Sequence, residues 1–515
     1  MKPFLSVRRA DATAVATHAT AVLMVFAPLI RGGNRPIPLM LLELAALGLL
    51  GYCLWRPRFV EHLSRPLLWV LGAMLVYPLV QLLPLPGSLW SLLPGRAYYA
   101  ELLALADPSG DASAWRPISL IPAMTESAWL ALLPPLAVFL LVVGLPSKNL
   151  RYLMLVFLAI ALFEALFGLI QYREGPFGML RLGIPHPHGG DSATGTYVNR
   201  NHLGALLVMA FPIVSSLLIA NVGRTADAPE RASRGRDRSR GQQASLRNRI
   251  AELGTWRMNL SVFYGAAAIA ILVGLIFTRS RTSIALAMLG LMLCMAAFSR
   301  RVGRNNVYGM FGTLTTVAIV LALVVGLAPV WDRFALADNA TDYRWGIFTT
   351  TFQAIGQFLP LGSGFGTFTN IFPRFQTPEL IGYINHVHND YLEWILEGGL
   401  VSAAVIVGFG WFYVKRWTQV WYRGTWSTFR FIQVGAGISI LLLALHGLVD
   451  FNFHIPANAI FFAFLAGVFF HRYSEEARDE AAVAHPKEIT EGTEEVSMKP
   501  RDTSIPPENQ VDPFA

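Results

Sequence analysis

The chain has 515 residues, of which 54% are hydrophobic and 14% are charged, and its mean hydropathy is +0.46. Soluble proteins carry about 25% charged residues, so this composition excludes an ordinary soluble enzyme and indicates a protein that spans a lipid bilayer. Its two cysteines, Cys53 and Cys294, both lie in apolar segments, which excludes a disulfide framework and predicts buried thiols.

Runs of about 18 or more apolar residues recur along the chain, and each is long enough to cross about 30 Å of hydrocarbon. The first run follows Lys2, Arg8 and Arg9, and we interpret it as a membrane span rather than a cleaved signal because many similar runs follow it. We therefore predict an all-α integral membrane protein with about twelve transmembrane helices. The predicted spans are 12–30, 37–55, 66–83, 125–145, 150–171, 202–220, 258–278, 282–298, 307–329, 391–414, 431–450 and 455–471.

The segments between these spans alternate in positive charge. One set, which includes both chain ends, contains about 29 of the 41 Lys and Arg residues, and the alternating set contains about 12. Because segments rich in Lys and Arg remain in the cytoplasm, both termini are predicted to be cytoplasmic. The long loops 84–124, 172–201 and 330–390 are then external, and the last of them lies between the ninth and tenth spans.

Two cytoplasmic segments are predicted to be unstructured. Residues 221–257 are rich in Arg, Ser and Gly, and the tail 473–515 is charged and contains proline, so neither segment can bury a core. We interpret the basic loop as a solvated segment or a contact for anionic lipid headgroups, and we expect no nucleic-acid partner. The remaining domains are the helices 1–220, the helices 258–329, the external loop 330–390 and the helices 391–472.

The external loop 330–390 is predicted to be partly helical and to cover an outward-facing cavity. Its glycine-rich stretch LGSGFGTF, residues 361–368, predicts tight turns, and flexibility there would gate the site. Turn geometry alone is the alternative interpretation of these glycines.

The stretch HVHNDYLEWILEGGL, residues 386–400, gathers titratable side chains at the outer end of a predicted span. Asp390 and Glu393 have the spacing of a capping box, so we expect the helix to begin there. His388 and Asn389 then precede the helix N-terminus, whose partial positive charge favours a neutral imidazole that can accept a proton. The alternative is that these residues are only a solvated helix cap.

The same stretch also suggests a metal site, since His386 and His388 place two imidazoles near each other. A zinc site needs three or four ligands, and the sequence supplies neither a cysteine cluster nor an H-E-x-x-H pattern, so we expect no bound metal. Glu397 lies more than one turn into the span, where a carboxylate is costly unless it faces protein or water. The nearest other histidines are His186, His188 and His202.

Several of the few external arginines stand at membrane level, at the predicted ends of helices. The guanidinium is permanently charged and planar, and it matches phosphate oxygens. A cluster of such groups at headgroup depth predicts a site for a lipid-linked phosphate or diphosphate, and the alternative is that each arginine only contacts lipid headgroups. These arginines are Arg200, which follows Asn199, together with Arg279, Arg281 and Arg344.

These segments resemble, in the same order, the recurring blocks of the bacterial O-antigen ligase and O-antigen polymerase superfamily. HVHNDYLEWILEGGL is close to the superfamily's histidine pattern H-x-H-N-x-x-L-x-x-x-x-E-x-G. YVNRNHLGALL, TRSRTSIALAMLG and YRWGIF followed by PLGSGFGTF resemble its other blocks. The resemblance covers about residues 195–410, and the N-terminal spans match only in general hydropathy.

The resemblance implies a metal-independent, cofactor-free glycosyltransferase of the integral-membrane GT-C type in a bacterial inner membrane. Such enzymes take a glycan from undecaprenyl diphosphate at the periplasmic face and pass it to a hydroxyl of lipid A-core or of a growing glycan. By position, His388 would be the base, and Arg281 and Arg344 would bind the diphosphate. Arg200 and Arg279 would assist them, and the supporting residues would be His386, Asn389, Asn199, His202 and Glu397.

The residue chemistry is compatible with this implication. The donor already carries a good leaving group, so the enzyme must activate an acceptor hydroxyl and stabilise the departing diphosphate. A neutral histidine suits the first task, arginines suit the second, and the sequence has no D-x-D pair to hold Mg²⁺. Direct displacement would invert the anomeric centre.

The sequence leaves several functions open. We favour a ligase because the histidine block is its hallmark, but a polymerase that joins lipid-linked repeats and a transferase that modifies protein serine use the same chemistry. The non-enzymatic alternative is a polysaccharide or lipid transporter, which would carry charged residues along a path through the membrane.

Overall fold

The structure is a computed structural model, and its regular elements are almost entirely helical. Most of the predicted basic loop and of the tail lies outside the residues that it describes. Those residues are 2–56, 59, 61, 63–106, 114–181, 192–233, 256–302, 309, 311–316, 319–320, 338–421 and 426–472.

The described residues before 175 form eight helices. Two short strands, β1 (Pro84–Leu85) and β2 (Arg116–Pro117), pair antiparallel within the first long loop. The helices are α1 (Lys2–Leu29), α2 (Pro36–Trp55), α3 (Arg65–Gln81), α4 (Gly87–Trp90), α5 (Ala97–Ala106), α6 (Pro122–Ala131), α7 (Leu133–Gly144) and α8 (Ser147–Glu174).

The second half of the chain contains the histidine block and the predicted arginines. Short 3-10 turns occupy Phe372–Arg374 and Asn452–His454. The helices are α9 (Arg200–Ser233), α10 (Trp256–Phe277), α11 (Arg281–Val302), α12 (Asp338–Phe358), α13 (Phe368–Ile371), α14 (Asp390–Val420), α15 (Thr428–His446) and α16 (Pro456–Phe470).

The described residues contain eight helices that are long and apolar enough to cross a membrane. Three further predicted spans coincide with shorter apolar helices, Thr13–Leu29, Arg65–Gln81 and Pro456–Phe470. The predicted span 307–329 lies mostly outside the described residues. The described residues are therefore nearly all helical, in agreement with an all-α membrane protein, and the number twelve stays a prediction.

The span predicted at 125–145 coincides with the candidate span Pro122–Gly144, within which α6 and α7 meet at Leu132. Two other predicted boundaries need correction. Helix α9 continues to Ser233, which shortens the segment predicted to be unstructured. Helix α15 ends at His446 and not near residue 450, so the polar residues that follow form a separate connection to α16. We call this connection, residues 446–455, the outer turn, because the charge pattern of the sequence predicts that it lies on the external side.

Helix α9 is the centre of the bundle, and its whole span Arg200–Asn221 is enclosed by other helices. Lipid is as apolar as leucine, so membrane helices associate through close packing and hydrogen bonds between them. Helix α15 approaches α9 closely at Gly435, where an added Cβ would lie 2.9 Å from the carbonyl oxygen of Pro212. Ser439 Oγ donates to the carbonyl of Met209 at 2.6 Å. Small residues and hydroxyls therefore bring these two helices together.

The glycine-rich segment 360–368 is bound to α14 by backbone hydrogen bonds. Gly364 N donates to the carbonyl of Glu397 at 2.9 Å. Helix α14 breaks at Gly399, which has φ 58° and ψ −143°, and the next backbone N–H donates to the carbonyl of Pro360 at 2.9 Å. These contacts favour turn geometry over a flexible gate as the reason for the glycines.

Candidate active site

Asn389 caps the helix that begins the histidine block. Its Oδ1 accepts hydrogen bonds from the backbone N–H groups of Tyr391 and Leu392 at 3.0 and 3.1 Å. The predicted helix start at Asp390 is confirmed, but the capping box formed by Asp390 and Glu393 is wrong by one residue. Both carboxylates are thereby released to contact histidines.

His388 lies beside a buried carboxylate on the outer turn. Its Nδ1 is 3.5 Å from Oδ1 of Asp450, and 26% of the His388 side chain is exposed against 1% of the Asp450 side chain. The backbone of His388 has φ 59°, a left-handed conformation that costs energy in a residue with a side chain. Strain of this kind accumulates at functional sites because the surrounding structure must enforce it.

Asp450 is held in place from several elements. Its Oδ2 accepts a hydrogen bond from Nδ2 of Asn201 at 2.6 Å, and its Oδ1 accepts one from the backbone of Phe451 at 3.0 Å. Burial acts to raise the pKa of Asp450, but the neighbouring imidazoles of His388, His202 and His446 hold this pKa well below its usual range. Asp450 is therefore a fixed negative charge that faces the candidate base.

A second histidine of the block is paired in the same way. His386 Nδ1 lies 2.8 Å from Oε1 of Glu393, while Oε2 of Glu393 accepts a hydrogen bond from the backbone of Val387 at 2.9 Å. Glu393 is buried, whereas the His386 side chain is 23% exposed. The imidazole of His386 is therefore anchored at one nitrogen and open on its other side.

His454 links the two carboxylates that the helix cap releases. Its Nδ1 lies 2.7 Å from Oδ1 of Asp390, and its Nε2 lies 3.4 Å from Oε1 of Glu393. Burial acts to lower the pKa of His454, but Glu393 and the hydrogen bond to Asp390 raise this pKa to about 10. His454 is thus an imidazolium that neutralises part of the charge of both carboxylates.

Three of the predicted residues meet around one ring, Phe451 of the outer turn. The ring of His386 stacks on it with 4.2 Å between centroids, and the rings of His388 and His202 approach it edge to face at 5.1 and 4.8 Å. His202 is buried, and its Nε2 has no hydrogen-bond partner among the described residues. The site is therefore assembled on the outer turn, a segment for which the sequence predicts no function.

The predicted arginines lie on elements that converge on this turn. Arg344 Nη1 donates to the carbonyl of Val449, the residue before Asp450, at 3.1 Å. Arg281 is the first residue of α11, and two residues later Ser283 Oγ lies 3.1 Å from Nε2 of His446. Arg344 and Arg281 therefore lie on two different helices that both contact the outer turn.

Arg200 and Arg279 occupy comparable positions on neighbouring elements. Arg200 is the first residue of α9, next to Asn201, which contacts Asp450. Asn199 Oδ1 accepts a hydrogen bond from the backbone of Asn201 at 2.9 Å and so caps the same helix. Arg279 is buried and has φ 54°, a strained conformation two residues before the start of α11.

The N-termini of α9, α11 and α14 thus all contact the outer turn. The third contact is a hydrogen bond from the backbone N–H of Asp390 to the carbonyl of Gly447 at 2.9 Å. Helix N-termini carry partial positive charge and favour bound anions. Together with Arg281 and Arg344, they make this region suited to a phosphate-bearing ligand.

Glu397 makes its hydrogen bond to the glycine-rich segment, one turn along α14 from Glu393. It is buried, and its Oε1 accepts a hydrogen bond from the backbone of Phe368 at 3.0 Å. It therefore faces protein, as its position in the span requires, and ties the glycine-rich segment to α14.

One group of described residues comes close enough to suggest a metal ion: ligand atoms of His386, Glu393 and His454 lie within 4.8 Å of one another. Bonds of about 2.0 Å in a tetrahedral site place two ligand atoms about 3.3 Å apart. The 2.8 Å between His386 and Glu393 is shorter and is a hydrogen-bond distance. We therefore interpret the group as hydrogen-bonded. His186 and His188 lie outside the described residues.

Comparison with known families identifies part of the chain. Residues 266–407 match a family model described as O-Antigen ligase, which confirms the resemblance over this stretch. The match includes His386, His388, Arg281 and Arg344, but it ends before the outer turn that carries Asp450. No curated protein matches the chain. Together with the apolar helices, the match supports a membrane protein with an O-antigen ligase or polymerase type of function.

Proposed function

We propose, from the match of residues 266–407 to the O-antigen ligase family, that this chain is an inner-membrane glycosyltransferase. It moves a glycan from undecaprenyl diphosphate to an acceptor hydroxyl at the periplasmic face. The observation that carries this proposal is the pairing of the partly exposed His388 with the buried Asp450, 3.5 Å apart. A buried carboxylate behind an accessible imidazole is the arrangement of a general base.

In the proposed reaction, His388 accepts the proton of the acceptor hydroxyl through Nε2. Asp450, on the opposite side of the ring, orients the imidazole and stabilises the imidazolium that forms. The acceptor oxygen bonds to the anomeric carbon as the bond from that carbon to the diphosphate oxygen breaks. Undecaprenyl diphosphate leaves with the bonding electron pair, and the anomeric centre is inverted.

Arg281 and Arg344 are proposed to bind the departing diphosphate, with Arg200 and Arg279 assisting. The contacts of their elements with the outer turn support this assignment, since they bring fixed positive charge towards the base. Guanidinium groups and helix N-termini stabilise developing negative charge on phosphate oxygens without a metal ion. We therefore propose a metal-independent reaction, in which a chelator leaves the rate unchanged.

The acceptor is proposed to be lipid A-core, which would make the chain a ligase. The histidine block favours this choice over a lipid-linked repeat or a protein serine. The three acceptors differ in what surrounds the reacting hydroxyl and not in the chemistry of His388, so the same site serves each of them.

The proposal is tested with purified protein in lipid vesicles, supplied with a glycan on undecaprenyl diphosphate and with lipid A-core and free lipid-linked repeat as competing acceptors. We expect release of undecaprenyl diphosphate and glycan attached to lipid A-core. Elongated lipid-linked glycan would reassign the protein as a polymerase. Movement of intact donor across the bilayer without release of the diphosphate would replace the enzyme with a transporter.

A further inference from the structure

The described residues at the outer mouth of α14 contain three imidazole–carboxylate pairs, and the proposed reaction uses one of them, His388 with Asp450. His454 with Asp390 is the most buried arrangement of charge, and the remaining pair is His386 with Glu393, whose 2.8 Å separation is shorter than the 3.5 Å between His388 and Asp450. Both imidazoles contact the ring of Phe451, which fixes their relative position. A second imidazole that is anchored by a carboxylate next to the proposed base indicates that His386 has a separate function.

His386 is organised to bind a ligand through Nε2. Glu393 anchors Nδ1, and Phe451 lies parallel to the ring with an interplanar angle of 20°. Within the described part of the chain, Nε2 of His386 has no hydrogen-bond partner, and the side chain is 23% exposed. In the tautomer that donates from Nδ1 to Glu393, the ring presents Nε2 as an acceptor, and its ligand is then a hydrogen-bond donor.

The charges behind His386 favour an uncharged ligand. Glu393 contacts its Nδ1, Asp390 is joined to Glu393 through His454, and the single charge of His454 offsets only one of these two carboxylates. A diphosphate would be repelled there, whereas Arg344 donates to the carbonyl of Val449 and so brings positive charge to the side of Asp450. A sugar hydroxyl donates a hydrogen bond and carries no charge, so it fits Nε2 of His386.

We propose that His386 binds a second hydroxyl of the acceptor sugar, next to the hydroxyl that His388 activates. This acceptor subsite rests on the proposed function, and it adds that the acceptor is recognised through two hydroxyl groups of one glycan end. Glu393 is a positioning residue that holds the His386 ring, and His454 balances the charge of Glu393. His386 thereby contributes to the choice of acceptor and not to donor binding.

The test separates the two nitrogens of His386. In His386→Asn, the amide nitrogen takes the place of Nδ1 and still donates to Glu393, but the group at Nε2 is lost. We expect KM for the acceptor to rise about tenfold, the effect of one lost hydrogen bond, while KM for the donor stays unchanged. His386→Gln, whose amide reaches the position of Nε2, should recover part of the acceptor affinity. His18→Ala, an exposed histidine on α1, is the matched control. An unchanged acceptor KM in His386→Asn would overturn the proposal.

A binding measurement keeps this inference separate from the proposed function. Core oligosaccharide released from lipid A is titrated into wild type and His386→Asn without donor, and we expect at least about tenfold weaker binding to the variant. If wild type transfers no glycan, the proposed function fails, and this titration still decides the subsite. Equal binding to both proteins would contradict the subsite. Stoichiometric zinc in wild type that is lost in both His386→Asn and Glu393→Gln would also overturn it, because the group would then be a metal site.

Discussion

Asp450 is buried in the middle of the outer turn, and three different residues contact its carboxylate. Asn201 of α9, His388 before α14 and the backbone of Phe451 all approach it. These neighbours keep the Asp450 carboxylate negatively charged in the folded chain. A site that needs an oriented imidazole as a base therefore depends on this one side chain.

We predict that Asp450→Asn lowers kcat for glycan transfer about 100-fold, because the amide neither orients His388 in the same tautomer nor stabilises its protonated form. The substitution also removes an acceptor for Asn201. Asn201→Ala is therefore the control, since it removes that hydrogen bond and keeps the carboxylate. Initial rates at saturating donor should show a loss below about tenfold for the control. Equal losses in the two variants would mean that Asp450 acts only through packing.

His454 predicts a stability change at alkaline pH. Its pKa is raised to about 10 in the folded protein by Glu393 and Asp390 against the effect of burial. The unfolded value is about 6.5, so the stabilisation is fully present below about pH 6.5 and is lost as pH rises through about 10. The Tm of wild type in detergent should fall between about pH 8 and pH 10.5, and the fall should be clearly smaller in His454→Gln. Parallel curves for the two proteins would contradict the assigned pKa.

Some residues of the site could be predicted from the sequence and others could not, for a physical reason. His388 and Asn389 belong to a local pattern, so the sequence exposes them directly. Asp450 and His454 lie about 60 residues further on, and only the tertiary fold brings them to the block. The sequence did contain a pattern that points to these residues, since His446, Asp450 and His454 recur every four residues at the end of a predicted span.

At the scale of elements, α14 shows what local rules can and cannot predict. The sequence predicts its N-cap within one residue, because Asn389 and Asp390 are equally good capping residues. In the structure Asn389 is the cap, while Asp390 contacts His454, which is distant in sequence. The break of α14 at Gly399 was not predicted, although the sequence has a Gly-Gly pair there. The segment that fits into the break, around Pro360, comes from elsewhere in the chain.

We predict that Gly399→Ala destabilises the protein by about 3 kcal/mol or more. The backbone at Gly399 has φ 58° and ψ −143°, which is accessible essentially to glycine alone, and an added Cβ would lie 2.0 Å from the carbonyl oxygen of Pro360. Gly410→Ala in the same helix is the control, since its Cβ would meet nothing within 4 Å and alanine favours helices. Thermal unfolding in detergent should separate the two variants, and similar Tm values would show that the break is not required.

At the scale of the whole molecule, hydropathy predicted the helical bundle well, because the bilayer requires long apolar helices. The order of packing around α9 was not predictable, since it depends on close contacts such as Gly435 against Pro212. The orientation across the membrane rests on charge alone and stays a prediction.

That orientation can be measured with single cysteines. Both natural cysteines are buried, so a background with Cys53 and Cys294 replaced by alanine carries no competing thiol. In intact cells permeable only at the outer membrane, an impermeant maleimide should label Tyr383→Cys, an exposed position in the loop 330–390. Ser239→Cys in the basic loop should react only after the inner membrane is opened. Labelling in the reverse order would invert the topology and place the site in the cytoplasm.

The central claim, that His388 performs chemistry at an outer helix mouth, is tested most directly by the glycan-transfer rate of His388→Ala. The variant is compared with wild type and with His18→Ala in the same vesicles, after matching Tm values have shown that all three are folded. We predict a loss of at least about 100-fold for His388→Ala and no loss for His18→Ala. Transfer by folded His388→Ala at the wild-type rate would contradict the account and reduce the histidine block to a solvated helix cap.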